Sequence, residues 1–205
     1  EWFSPIVAEV GPDGNLWIAD WYNFIIQHNP TPNTNRGGYA AKTGRGNAHL
    51  NPNRDRQHGR IYRLVYEGND SPDFNLRNAS WEKLVDALGH DNMFWRLTAQ
   101  RLLVDGSHKQ AVPALTKLLS QPAPESMHAL WTLHGLGALD RESHAKCLIS
   151  TDPALRRNAI RAIPHDGEGL KMLYDSATLA DKDLLVRLDA FVKLASFAMD
   201  DGIRK

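Results

Sequence analysis

A run of acidic, aromatic and amide side chains, Asp20-Trp21-Tyr22-Asn23, directly follows an apolar, β-rich segment. Aromatic rings stack on the C–H faces of sugars, and carboxylate and amide oxygens accept hydrogen bonds from hydroxyl groups. The run therefore predicts a sugar or polyol site at the end of a strand. The alternative is structural: Asp20 satisfies backbone N–H groups in a turn, while Trp21 and Tyr22 pack between neighbouring β-sheets.

The densest polar cluster is Asn53-Arg54-Asp55-Arg56-Gln57-His58-Gly59-Arg60. His58 can act as a general base or a metal ligand. Arg54 or Arg60 can hold an anionic group through two parallel hydrogen bonds. An Arg–Asp clasp that pins a long loop onto the following strand accounts for the same residues equally well.

The composition narrows the possible functions. Lys and Arg together number 24 and so do Asp and Glu, so the charge gives no overall attraction to nucleic acid or to an anionic membrane. Cys147 is the only cysteine, so neither a disulfide nor a CxxCH haem-attachment motif can form within the chain. No apolar run is long enough to span a membrane. His28 and His49 match no metal-ligand spacing with His58, and we expect no metal site and no nucleic-acid partner.

The elements that must position these residues begin with short β-rich runs. Ile6–Val10 and Asn15–Asp20 flank Gly11-Pro12-Asp13-Gly14, which supplies the backbone angles of a tight hairpin. Further runs at Phe24–Ile26 and Gly59–Tyr66 predict four strands in all. Four short antiparallel strands make one blade of a β-propeller, and a lone blade leaves its faces and edges uncovered.

From Ser80, a suitable N-cap, the pattern becomes helical. Alanines recur about every 30 residues, and an aliphatic residue follows each one four positions later. These pairs are Ala99 with Leu103, Ala129 with Leu133, Ala159 with Ile163, and Ala190 with Leu194. Helical periodicity puts each pair on one inward face, where the small alanine allows close helix approach. The recurrence predicts a HEAT-like α-solenoid with a period shorter than is usual for HEAT repeats.

We therefore predict a mixed fold, β first and then α, with a β part at 1–66, a linker at 67–79 and helical repeats at 80–205. The stretch from Asn29 to Gln57 is a long basic loop, and loops of this length are usually functional or disordered. Because the first strand has no partner strands before it, we expect the chain to be a fragment of a larger protein.

Together these features resemble the large membrane-bound-dehydrogenase-like, PVC-type haem-binding proteins of planctomycetes and verrucomicrobia. The likeness is carried by Gly11–Asn23, Ile26–Asn29 and Asn51–Arg63, and the helical continuation agrees with it. It implies a six-bladed propeller akin to soluble quinoprotein glucose and sorbosone dehydrogenases, then HEAT-like repeats, and often a c-type cytochrome domain. Residues 1–66 would be the last blade, and the protein would be exported to the periplasm or cell surface.

The resemblance implies an oxidoreductase that acts on sugars or alcohols and passes electrons from a PQQ-like quinone to a c-type haem outside this chain. His58 and Asp20 are then the catalytic candidates, with His58 as the proton acceptor. Arg60 and Arg54 would contact the cofactor or an anion. The substrate contacts would be Trp21, Tyr22, Asn23 and His28. The partners would be the missing blades and a cytochrome c domain of the same parent.

The alternative is a non-catalytic, protein-binding scaffold. A solenoid offers a concave surface, and the helical part contains no catalytic constellation. The fragment alone is expected to be catalytically inactive under both hypotheses. Upstream blades and a downstream CxxCH motif in the parent would favour the enzyme, and the absence of both would favour the scaffold.

Overall fold

The computed structural model describes residues 3–21, 33–42, 57–68 and 73–203. Within these ranges the chain is a three-stranded antiparallel sheet followed by eight α-helices, so the predicted order of β and then α is confirmed. The chain divides into two compact units, Glu1–Phe74 and Asn75–Lys205, which we call the sheet unit and the helical unit.

The sheet unit contains β1 (Pro5–Val10), β2 (Leu16–Asp20) and β3 (Arg60–Leu64), in the spatial order β1-β2-β3. Both pairings are antiparallel, with Val10 opposite Leu16 and Asp20 opposite Arg60. The predicted hairpin and the strand near residue 60 are confirmed. The predicted run at Phe24–Ile26 lies outside the described residues.

The turn between β1 and β2 forms as the sequence predicts. The N–H of Gly11 donates to the carbonyl of Asn15 at 2.9 Å, and the N–H of Gly14 donates to that of Gly11 at 3.0 Å. Gly14 has a φ of 73°, a conformation that side-chain-bearing residues rarely adopt. Gly11 is required for a different reason, because a Cβ at this position would lie 2.3 Å from the Trp17 ring.

The helical unit begins with the predicted N-cap, since Ser80 Oγ accepts a hydrogen bond from the N–H of Lys83. Its helices are α1 (Trp81–Asp86), α2 (Met93–Asp105), α3 (Val112–Leu118), α4 (Glu125–Gly135), α5 (Arg141–Leu148), α6 (Pro153–Arg161), α7 (Gly167–Asp175) and α8 (Leu184–Ile203). Side-chain caps recur seven residues before three of the repeat alanines, at Asn92, Asp152 and Asp183.

The helices pack as consecutive pairs, with α1 on α2, α3 on α4, α5 on α6 and α7 on α8. The even-numbered helices also contact one another in chain order. The repeat alanines lie on these helices and are all fully buried, which confirms the prediction that they face inward: Ala99, Ala129, Ala159 and Ala190. The main apolar cluster of buried residues extends from Leu130 to Ala190, so the unit has a core of its own.

Candidate functional site

One end of the sheet brings four of the predicted site residues together. Asp20 ends β2 directly opposite Arg60, which begins β3. Trp21 follows Asp20, and His58 precedes Arg60 by two residues. The backbone between them is close, because a Cβ on Gly59 would lie 3.7 Å from the carbonyl oxygen of Asp20.

Asp20 differs from its three neighbours because its side chain is buried. Its Oδ1 accepts a hydrogen bond from the backbone N–H of Ser4 at 2.6 Å, and the N–H of Trp21 donates to the carbonyl of Ser4 at 3.0 Å. The carboxylate therefore ties the residues before β1 to the end of β2. This contact corresponds to the structural alternative for Asp20, in which the carboxylate satisfies a backbone N–H group.

His58, Arg60 and Trp21 are exposed at this end of the sheet. Arg60 Nη1 donates to the hydroxyl of Tyr62 at 3.1 Å, which directs the guanidinium along β3. These groups can offer an acid–base imidazole, a cation and an aromatic face to a ligand. The other predicted site residues lie outside the described residues: Tyr22, Asn23, His28 and Arg54.

A second polar cluster, which the sequence did not reveal, surrounds the β1–β2 turn. Asp13 Oδ1 accepts hydrogen bonds from Trp17 Nε1 at 3.0 Å and from the N–H of Asn15 at 3.2 Å. Asp13 Oδ2 forms an ion pair with Arg63 Nε, and the Arg63 guanidinium lies 5.9 Å from the Trp17 ring centroid. The Trp17 hydrogen bond, supported by those from Asn15 and Arg63, holds the pKa of Asp13 far below its usual value. The signal that could have identified the cluster is the four-residue separation of Asp13 and Trp17 across the turn.

In the helical unit, polar contacts recur between successive even-numbered helices. A side chain one or two positions after a repeat alanine contacts the residue directly before the next repeat alanine. The pairs are Gln100 Oε1 with His128 Nδ1 at 2.8 Å, Trp131 Nε1 with Asn158 Oδ1 at 2.8 Å, and Arg161 Nη2 with Asp189 Oδ1 at 3.2 Å. We call these three contacts the polar ladder. They fix the register of α2, α4, α6 and α8 relative to one another.

In the first contact of the polar ladder, the surroundings of His128 favour the neutral imidazole. Burial, together with the nearby positive charge of Arg96, lowers the pKa of His128. In the neutral imidazole, Nδ1–H donates to Gln100 and Nε2 accepts from Arg96 Nε at 3.3 Å. The contact is therefore a hydrogen bond between neutral groups.

The last contact of the polar ladder is reinforced by ion pairs. Asp189 also accepts from Arg157 Nε at 2.7 Å, so two guanidinium groups of α6 share one carboxylate of α8. Two ladder members, Trp131 and Arg161, are followed three and four residues later by His134 and His165. His134 packs against Trp131, and His165 stacks on Phe197 of α8. We call these four residues the ladder rim.

Two buried titratable groups near the core lie away from both candidate sites. His144 Nε2 lies 2.8 Å from the carbonyl oxygen of Ala159, and burial lowers its pKa, so the neutral ring donates this hydrogen bond. Burial raises the pKa of Cys147 to about 11, which leaves a protonated thiol at neutral pH. Neither group is exposed to a ligand.

Within ranges 3–21, 33–42, 57–68 and 73–203, no three His, Cys, Asp or Glu residues converge as metal ligands. None of the described helices combines the length and the apolar character that crossing a membrane requires.

Residues 1–68 match the model of a protein family described as a domain of unknown function, DUF7133. No curated protein sequence matches the chain. Among solved structures, the chain is similar to the crystal structure of an engineered protein, with 24% sequence identity and a TM-score of 0.34. That alignment covers 58% of this chain and 62% of the engineered protein.

Proposed function

We propose that the helical unit is a HEAT-like α-solenoid that serves as a protein-binding scaffold, and that the sheet unit is a blade of a β-propeller. The observation that carries the scaffold proposal is the polar ladder, because each of its contacts joins successive even-numbered helices at the residue directly before a repeat alanine. Such contacts hold successive helices side by side and keep a continuous surface in a fixed shape. Repeat proteins use surfaces of this kind to bind other proteins.

The ladder rim suggests the chemistry of the partner. Trp131 is half-buried and Arg161 is exposed, and both residue types are enriched where binding energy concentrates. His134 packs edge-on against Trp131, with ring centroids 5.4 Å apart. Arg161 shares its carboxylate with Arg157, so its guanidinium retains donors for a second acceptor. We therefore propose a partner segment that combines carboxylates with an apolar residue.

Affinity capture with the full chain and with rim variants would test the scaffold. Arg161→Ala and His134→Ala should each lose a partner that the parent chain retains. Lys171→Ala, an exposed change on α7, should keep that partner. The captured protein, once purified, should then bind the parent and the Lys171 variant but bind the rim variants at least about tenfold more weakly, a loss typical of a central interface residue. Equal binding by all four proteins would contradict the proposal.

The blade proposal is supported by how little the sheet unit covers its own strands. Among the residues of the three described strands, only Asp20 is buried. Apolar side chains are exposed on every strand, and they include Val7, Trp17 and Ile61. A propeller covers such faces with adjacent blades, and a small sheet rarely stands without cover.

A second candidate function, an exported oxidoreductase, is favoured by the group of Asp20, Trp21, His58 and Arg60 at one end of the sheet. In this proposal the exposed residues Trp21, His58 and Arg60 would face a sugar or alcohol, while the buried Asp20 would hold the end of the sheet in place. Arg60 would contact a PQQ-like quinone, which would supply the redox chemistry, and a c-type haem elsewhere in the parent protein would accept the electrons. A covalently attached haem does not fit this chain, whose single cysteine is buried. Replacing His58 with Ala in the longer protein should abolish turnover, and unchanged turnover would exclude the proton-acceptor role.

A further inference from the structure

A groove of the helical unit lies between α1, α3 and the start of α4, and its volume is about 460 Å³. Residues one helical turn apart line it on each side, Trp81 and Val85 on α1 and Ala114 and Leu118 on α3. Ligand sites in proteins typically have a volume of this order, a mostly apolar lining and a few polar groups. The groove therefore has the size and the lining of a site for a side chain.

Three carboxylates line the same groove, and among the described residues no basic side chain does so. They belong to Glu82 and Asp86 of α1 and to Glu125 of α4. None of the three forms a hydrogen bond or an ion pair within the part of the chain that the structure describes. Negative charge without a partner, beside an aromatic ring and apolar surface, is complementary to an organic cation.

Glu125 stands where the other repeats have an apolar side chain. It lies four residues before Ala129, and the residues four positions before the other repeat alanines are Trp95, Leu155 and Val186. Leu155 is 2% exposed and Val186 is 0% exposed, so this position closes the packing of α6 and α8. On α4 it holds a half-buried carboxylate that lines the groove. A charge at a core position of a repeat opposes packing, and departures of this kind concentrate at functional sites.

The residue after Glu125 departs from the repeat as well. The corresponding residues of α2 and α6, Arg96 and Arg156, each donate to two carbonyl oxygens of the loop before their helix. On α4 this residue is Ser126, which is 0% exposed and whose Oγ has no hydrogen-bond partner among the described residues. The start of α4 thus departs from the repeat at two successive positions, and both leave a polar group without a partner.

We propose that this groove, which we call the acidic groove, binds an arginine side chain of a partner protein. A guanidinium presents five N–H donors in one plane, so it can serve more than one carboxylate while its face stacks on Trp81. The methylene stem of the arginine covers apolar lining residues such as Val85 and Leu118. The ladder rim contributes no residue to the acidic groove and is proposed to bind carboxylates, so this inference does not depend on the scaffold proposal.

An NMR titration of the full chain tests the recognition of arginine. A capped Gly-Gly-Arg-Gly-Gly peptide should shift the indole N–H resonance of Trp81 in a saturable way. The same peptide with citrulline, a neutral isostere of arginine, should cause no such shift. A lysine peptide should bind more weakly than the arginine peptide, since an ammonium lacks the planar face. The absence of a saturable shift, equal shifts with the citrulline peptide, or tighter binding of the lysine peptide would each overturn the proposal.

Variants of the full chain, titrated with the arginine peptide, test where it binds. Glu125→Gln should weaken binding at least about fivefold, since it removes one charge-assisted contact. Ala114→Phe keeps all three carboxylates but fills the acidic groove, and it should abolish binding with unchanged helical circular dichroism.

Two controls separate this site from general charge attraction and from the ladder rim. Asp175→Asn removes an exposed carboxylate at the end of α7 and should bind the peptide as the parent does. Arg161→Ala changes the ladder rim and should also leave binding unchanged. Unaltered binding by Glu125→Gln or Ala114→Phe would contradict the proposal, and so would an equal loss in Asp175→Asn.

Discussion

The sheet unit and the helical unit differ in how much of their own side chains they bury. In the described strands only Asp20 is buried, and the polar contacts concentrate at the two ends of the sheet. In the helical unit, a continuous core is surrounded by contacts that recur from one repeat to the next. Helices can close a core with their sequence neighbours, whereas a small sheet needs cover from elsewhere.

The difference supports the separate roles proposed above for the two units. A unit that carries its own core can present a surface of fixed shape, which suits binding. A sheet with exposed apolar side chains on every strand is suited to assembly with further β-structure. Substitutions of buried residues in the helical unit should therefore affect stability strongly, and substitutions of exposed residues on the strands should affect it weakly.

The largest expected effect comes from the buried ion pair of the helical unit. Arg156 donates to both carboxylate oxygens of Asp181, at 2.7 and 2.8 Å, and to the carbonyl oxygens of Ser150 and Thr151. Arg156→Met leaves these acceptors buried without their donor and should reduce the free energy of unfolding by about 3–5 kcal/mol. Urea denaturation followed by circular dichroism measures the loss.

Two variants accompany this measurement. Arg101→Met breaks an exposed ion pair with Asp105 and should change the free energy of unfolding by no more than about 0.5 kcal/mol. The double variant Arg156→Met with Asp181→Leu should recover much of the loss, since it removes the unpaired carboxylate as well. Equal effects of Arg156→Met and Arg101→Met would show that the pair is not desolvated.

The second-largest expected effect comes from truncating a buried apolar side chain in the helical unit, compared with truncating an exposed one in the sheet unit. Leu130→Ala removes a fully buried side chain from the core and should cost about 2–5 kcal/mol. Ile61→Ala removes a side chain that is 74% exposed on β3 and should cost less than about 0.5 kcal/mol. Urea midpoints of the two variants measure the contrast. A comparable loss at Ile61 would show that the strand is covered in solution.

Much of the fold could be predicted because its signals are local. Gly11-Pro12-Asp13-Gly14 predicted the hairpin, and Ser80 predicted the first helix start. The repeat alanines predicted which helix face is buried, since residue size and spacing are visible in the sequence. The partners of the polar residues could not be predicted, because Arg156 and Asp181 are 25 residues apart and nothing local selects that pairing.

The third effect depends on pH and concerns the helical unit alone. Burial lowers the pKa of His144 in the folded state, so below the ordinary histidine value of 6.5 the unfolded chain binds more protons. The free energy of unfolding should therefore fall as the pH drops below 6.5. His128, whose pKa is also lowered, adds to the same decline.

Replacing His144 with Gln removes the titration and keeps an amide that can reach the carbonyl of Ala159. Urea midpoints from pH 8 to pH 5 should then decline less steeply than those of the parent, and the double change with His128→Gln should give the flattest profile. Lys171→Gln alters no group that titrates in this range and should follow the parent. A His144→Gln profile as steep as that of the parent would contradict the assignment.

The smallest expected effect lies in the sheet unit. Asp13→Ala removes the acceptor of the Trp17 indole N–H and the partner of Arg63. Hydrogen exchange of the Trp17 indole, followed by NMR, should accelerate, while the unfolding midpoint of the helical unit should not change. A shifted midpoint would show that the two units unfold together.

The candidate sites of the two units also differ in how much of each could be predicted from the sequence. The sequence marked Asp20 with Trp21 and His58 with Arg60 in two separate runs, and the pairing of β2 with β3 then places Asp20 opposite Arg60 at one end of the sheet. It did not reveal the buried contact of Asp20 with Ser4, since a carboxylate after a strand is compatible with both a ligand and a backbone N–H. The polar ladder was missed because its members differ in residue type from repeat to repeat, and only their positions recur.

Hydrogen–deuterium exchange of the full chain, followed by mass spectrometry, tests the contrast between the two units most directly. Exchange protection reports the free energy of local opening, which is low where few apolar contacts cover the backbone. Peptides from α4 and α6 should be protected to near the global free energy of unfolding, while those from β1 and β3 should exchange orders of magnitude faster. Equal protection of the strands and the helices would contradict the account, because it would require the sheet unit to possess a core of its own.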